Sequence, residues 1–114
     1  MEIKFIVKNR GEGKTKTLVD KIIDVENTEA TSLIYVGSYA SYLNVKHMYE
    51  SIMFKQPSVK FVDKISDFKT LGREVTIFTD DFSDNVLGII QSGPDLTQFT
   101  GTWYCTLDSS TIII

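Results

Sequence analysis

IVKNRGEGKTKTL, residues 6–18, decides the reading of this chain. An apolar run, Lys4 to Val7, leads into a glycine-containing loop, and Lys14-Thr15 then opens an amphipathic stretch. Lys4 to Val7 reads as a first strand and Asn9 to Gly13 as the loop. Lys14 to Asp24 reads as a helix with Leu18, Val19 and Ile22 on one face. The order strand, tight loop, helix has a chemical consequence. Gly11 and Gly13 let the backbone turn sharply and aim its N–H groups at an anion. The helix start adds N–H donors and the positive end of its dipole.

Outward from this segment, short apolar runs alternate with amphipathic ones. Ser32 to Val36 reads as a strand closed by Gly37. Tyr39 to Phe54 reads as a longer helix with Tyr42, Val45, Tyr49, Ile52 and Met53 at helical spacing, ended by Pro57. Val59 to Val62 and Val75 to Thr79 read as strands, with a short helix over Ile65 to Leu71 between them. Asp84 to Gln91 suggests a helix capped by Ser83 or Asp84, and Gly93-Pro94 a turn. Gln98 to Leu107 is β-prone, and Thr111 to Ile114 reads as a further strand. Strands alternating with helices predict an α/β fold: three layers, a mainly parallel sheet with helices on both faces. Ligands of such sheets bind beyond the carboxyl ends of the strands. With 114 residues the chain, 1–114, fits a single domain.

Composition narrows the function classes. Apolar residues make up 42% and charged residues 24%, ordinary for a globular protein. The net charge of −3 argues against a broad nucleic-acid surface, while leaving room for a local basic patch. Cys105 is the single cysteine, so no intrachain disulfide forms and a reducing compartment is expected. The opening MEIKFIVKNR lacks the apolar stretch of a secretory signal, and no run approaches the roughly 18 apolar residues of a membrane span. A cytoplasmic location without membrane contact is the expectation, the host cytoplasm if the chain is viral. His47 stands alone, which removes the usual ingredients of a zinc site or a histidine-based triad.

The loop residues Arg10, Gly11, Glu12, Gly13, Lys14, Thr15 and Lys16 form a candidate phosphate cradle. Lys14 supplies a charge for β- and γ-phosphates, and Thr15 offers a hydroxyl to Mg2+ carried with ATP. The motif GxxxxGK[ST] has glycine where this sequence has Lys8. A second motif, EVTIFTDDF at residues 74–82, is an apolar strand ending in two aspartates. It resembles a Walker B motif. Asp80 at the strand end is placed to hold magnesium through water, and Asp81 to polarise the attacking water. Alternatively Asp81, with Ser83 and Asp84, merely begins the following helix, where acidic residues suit the dipole.

Together the two motifs resemble P-loop NTPases with an additional strand between Walker A and Walker B. The order Arg-Gly-Glu-Gly-Lys-Thr further resembles the deviant Walker A of phage DNA-packaging terminases. That resemblance implies that Arg10 reaches the γ-phosphate in cis as an internal arginine finger. Downstream, FTGTWY at residues 99–104 resembles the TGT-like coupling motif of terminases and helicases, which implies that Thr100 and Thr102 sense the γ-phosphate. An ordinary β segment is the alternative. The family's usual glutamate at position 81 is aspartate here, one methylene shorter, which puts fast hydrolysis in doubt.

The leading expectation is therefore binding of a nucleoside triphosphate, with slow hydrolysis, in a DNA-processing or packaging context; the nucleic-acid role rests on resemblance alone. The competing expectation is a degenerate P-loop fold that acts as a protein-interaction or inhibitor module without turnover, with a protein partner or a homo-oligomer as its assembly. A small nucleotide kinase is disfavoured because no arginine-rich lid segment is present: the arginines are Arg10 and Arg73. Arg73 reads as a solvated residue ahead of a strand, with an arginine finger across a subunit interface as the alternative. Trp103 and Tyr104 are candidates for stacking on a base, although neighbours on a strand face opposite ways and one of them is expected in the core. Tyr39 and Tyr42 read as core or interface, His47 as lying on the polar side of its helix, and Cys105 as a small strand hydrophobe.

Overall fold

The computed structural model describes residues 2–9, 13–28, 32–62, 74–80 and 100–108. The elements are β1 (Glu2–Lys8), α1 (Lys14–Thr28), β2 (Ser32–Val36), α2 (Tyr39–Met53), β3 (Lys60–Val62), β4 (Val75–Thr79) and β5 (Thr102–Asp108). The five strands form one sheet in the order β1-β5-β4-β2-β3, with every pairing parallel. The α/β reading and the parallel sheet hold.

Local chemistry explains the elements. Gly13 takes a left-handed φ of 78°, and its carbonyl accepts both the N–H and the hydroxyl of Thr17 at 3.0 Å. That bond closes the first turn of α1. Leu18, Val19, Ile22 and Val25 then recur on one face and are fully buried, each worth about 1.5–3 kcal/mol of transfer. Ser38 caps α2 by accepting from the Ser41 N–H at 3.1 Å. Phe54 ends that helix in the left-handed region, with its N–H on the Glu50 carbonyl at 2.9 Å. Pro57 follows, as is common just beyond a helix end.

Both helices pack on one face of the sheet. Their buried side chains Leu18, Ile22, Val45 and Tyr49 join Leu33, Tyr35, Phe78 and Tyr104 in one core. Ile34, Val36, Ile77, Trp103 and Cys105 alternate to the other face and are equally buried, as a three-layer domain requires. The chain moves one way across the sheet from β1 to β2 to β3, and the other way to β4 and β5. With right-handed crossovers, such a reversal is what brings cover to both faces of a parallel sheet. The helices read over Ile65 to Leu71 and Asp84 to Gln91, the Gly93-Pro94 turn and the strand Thr111 to Ile114 lie outside the described residues.

Sequence alternation gives the apolar strands but not their order. β1 and β4 are near neighbours in the sheet. One strand, β5, separates them, and β1 stands at the edge of the described sheet, with Phe5 and Val7 exposed. Among the described residues no helix is long and apolar enough to cross a membrane.

Candidate functional site

β4 runs apolar and fully buried from Val75 to Thr79, and the chain emerges at the carboxyl edge with Asp80. In the register, Phe78 lies beside Tyr104 and Thr79 beside Cys105. Asp80 is therefore level with Thr106, and strand alternation turns both toward the face that carries α1. Across β5, Thr106 pairs with Ile6 of β1, two residues before that strand ends at Lys8. The end of β1 and the start of α1 thus lie at the same edge.

Three elements meet at Asp80. Thr15, in the first turn of α1, donates its hydroxyl to Asp80 Oδ2 at 2.7 Å. Thr106 donates to Asp80 Oδ1 at 2.5 Å. The Asp80 N–H donates to the Tyr35 hydroxyl at 3.1 Å, which adds β2 to the constellation. Asp80 and Thr106 are both buried. Charge-assisted hydrogen bonds of this kind are the stronger class, and a buried carboxylate is tolerable only when so satisfied. Behind the site, Trp103 Nε1 donates to Thr79 Oγ1 at 2.9 Å on the opposite face, which fixes the end of β4 from beneath.

Of the residues that the sequence singled out, Thr15 and Asp80 are in contact. Lys14, adjacent to Thr15, is the first residue of α1 and stands at the same sheet edge as Asp80. Gly13 provides the positive-φ turn ahead of it. Lys16 is different: its side chain points along the helix to Asp20, with Nζ 3.2 Å from Oδ2, in an exposed i,i+4 pair. Arg10, Gly11, Glu12, Asp81 and Arg73 lie outside the described residues.

Thr100 and Thr102 are not at this site. Thr102 begins β5, beside Glu2, and Thr100 forms a bridge with Glu74 ahead of β4. Both sit at the amino edge of a parallel sheet, with Thr102 some four residues, roughly 13 Å, from Thr106 along the strand. The segment therefore does not approach Asp80 or the start of α1. Gly101 has a backbone role instead: at φ 123° a Cβ would stand 2.1 Å from the Val75 carbonyl oxygen. The glycine lets the chain pass against β4 while its carbonyl accepts the Glu2 N–H at 3.2 Å and Thr100 accepts the Val75 N–H at 3.1 Å.

Thr106 is the residue that sequence reasoning missed. It shares its face with Thr102, since strand positions repeat every second residue, but lies at the carboxyl end, level with Asp80. The available signal was a threonine inside the apolar run WYCTL; only the pairing register gives it meaning. The aromatic reading also changes. Trp103 and Tyr104 are both buried, so neither offers a ring to a base. Tyr104 stacks on Phe78 with centroids 5.7 Å apart, and the Lys21 ammonium lies 5.1 Å from its ring. Tyr39 is exposed, and Tyr42 and Phe61 back it at 5.9 and 5.2 Å. His47 is exposed, as its place on the helix suggested. Cys105 is buried, and burial pushes its thiol up to about 12.

A hydroxyl and a carboxylate oxygen are hard donors of the kind magnesium takes, and magnesium completes its shell with water and phosphate oxygens rather than with a protein cage. The pair Thr15 and Asp80 fits that donor set. Among the described residues no group of three or more His, Cys, Asp or Glu side chains is gathered for a metal. Compared with models of known families, with curated proteins and with solved structures, the chain matches none.

Proposed function

We propose that this chain binds a nucleoside triphosphate with Mg2+ at the carboxyl edge of β1, β5 and β4. The observation that carries the reading is the 2.7 Å bond between Thr15 and Asp80, residues 65 apart in sequence. In phosphoryl-transfer proteins with a phosphate loop, the metal lies between the Ser/Thr of the loop and an aspartate at a strand end. The sheet order supports the same reading, since the strand between the two motifs contributes Thr106 to the same carboxylate.

In this reading the backbone after β1 and the α1 N-terminus receive the phosphates, with Gly11, Glu12 and Gly13 forming the loop. Lys14 neutralises β- and γ-oxygens. Thr15 and Asp80 hold the magnesium, which supplies charge neutralisation of the phosphates when bound. Thr106 fixes the second carboxylate oxygen. Arg10 is assigned as a finger in cis by resemblance to packaging terminases, and Asp81 as the group that orients water by resemblance to a Walker B motif. Slow turnover belongs to this reading, because Asp81 is a methylene short of the glutamate usual in the family it resembles. A role in DNA packaging or processing follows the same resemblance.

The departure at Lys8 favours a second reading, a phosphate-loop fold retained as a protein-interaction module. Lys8 occupies the position of the motif's first glycine and continues β1 in register with Asp108. Lys14→Ala separates the two. It is expected to weaken ATP binding by roughly 1.5–3 kcal/mol, about one to two decades. Equal affinity in the variant rejects the phosphate-loop assignment, and absence of binding in the parent protein favours the interaction module.

A further inference from the structure

Tyr35 is fully buried on β2, beside Phe78 of β4 in the register. Its hydroxyl reaches beyond the end of β4 and accepts the Asp80 N–H at 3.1 Å. Asp80 follows the last residue of β4, and its N–H takes a side chain as acceptor rather than a neighbouring strand. The same phenol oxygen is in hydrogen-bond contact with Ser41 Oγ. A phenol oxygen accepts on one lone pair while it donates to or accepts from a second hydroxyl, so the Asp80 N–H and Ser41 share this oxygen. Ser41 lies in the first turn of α2, and its own N–H is held by the Ser38 cap at 3.1 Å. A continuous polar line therefore runs from the α2 N-terminus through Tyr35 to the Asp80 main chain. It continues through the carboxylate to Thr15 and Thr106.

We propose that Tyr35 is a positioning residue that aims the Asp80 carboxylate and couples magnesium occupancy of the site to the first turn of α2. This rests on the nucleotide-site reading. A carboxylate between two hydroxyl donors can rotate about its side-chain bonds, and its direction is set by where the main chain is anchored. Tyr35 provides that anchor from a ring that the core immobilises. Its ring also lies 5.5 Å from that of Tyr42, one turn into α2. The α2 first turn carries Tyr39, 58% exposed, so a contact made there is felt at Asp80 through two hydrogen bonds.

Tyr35→Phe keeps the ring and removes the hydroxyl. The measurement is ATP affinity with and without Mg2+, together with hydrogen exchange at the Asp80 amide in the ligand-free protein. The gain in affinity that Mg2+ provides should fall on the order of tenfold, with magnesium-free affinity within about twofold of the parent. The Asp80 amide should exchange faster. Ser41→Ala, which retains the Tyr35–Asp80 bond, should lower the magnesium gain in the same direction but less. Equal weakening with and without Mg2+, or an unchanged magnesium gain, overturns the positioning role. If the parent protein binds no ATP, the nucleotide reading fails, and an unchanged Asp80 exchange rate in Tyr35→Phe rejects the anchor independently.

Discussion

Thr15 and Asp80 meet through a 2.7 Å hydrogen bond that joins the first turn of α1 to the end of β4. The contact is assembled by the sheet: β5 holds β1 and β4 one strand apart, and Thr106 satisfies the second oxygen of the same carboxylate. Removing either side of the pair should act on metal, in addition to the roughly 1–3 kcal/mol of stability lost when a buried carboxylate gives up a hydroxyl donor. Asp80→Asn is expected to abolish most of the Mg2+-dependent gain in ATP affinity while leaving magnesium-free binding largely intact. Thr15→Val should lower the gain by about tenfold, the worth of a charge-assisted contact. Titrations at fixed ATP with increasing Mg2+ check both.

The two threonines of β5 should separate cleanly. Thr106→Val removes a donor from a buried carboxylate and should cost roughly 1–3 kcal/mol of stability in the ligand-free protein as well as weakening magnesium-dependent binding. Thr102→Val, at the far edge of the sheet, should leave ATP affinity unchanged. Denaturant melts beside nucleotide titrations test the pair. An effect on binding from Thr102 and none from Thr106 would restore the coupling role to the wrong end of the strand.

Gly101→Ala tests the backbone account of the TGT segment. The added Cβ has no room against the Val75 carbonyl, and the φ of 123° disfavours any side chain. Backbone strain alone costs about 1–3 kcal/mol, before the clash is counted. Thermal melting should show that loss. The fraction that remains folded should bind ATP with parental affinity.

Cys105 gives a pH dependence with a definite sign. Burial raises its thiol from 9.0 to about 12, so the folded state favours the protonated form. The stability that this contributes is complete below about 9 and is lost as pH rises toward about 12. Stability profiles of the parent and Cys105→Ala should converge toward one another across that window. Iodoacetamide should label the native thiol far more slowly than the unfolded one at pH 9. A native thiol that reacts at the unfolded rate would show that β5 is not packed as described.

Continuous apolar runs were legible because a strand buried on both faces needs no polar alternation. Ser32–Val36 and Val75–Thr79 have the bounds their sequence suggests. The α1 pattern of Leu18 and Ile22 extends through Val25, and the helix runs on to Thr28, four residues beyond Asp24. Part of the reason is tertiary: Glu26 is held by the Tyr49 hydroxyl at 2.5 Å from α2. Strand order was not legible. No local pattern in EIKFIVK or TWYCTLD says that the last described strand inserts between the first and the fourth. That insertion decides the site, because it makes Thr106 rather than Thr102 the neighbour of Asp80 and moves β1 to the edge.

Calorimetric titration of the purified protein with ATP, in the presence and absence of Mg2+, tests the central claim most directly. The account predicts a single saturable site that is tighter with Mg2+ and whose magnesium gain disappears in Asp80→Asn. Binding that is indifferent to Mg2+ and unaltered in Asp80→Asn, or no binding at millimolar ATP, would contradict it.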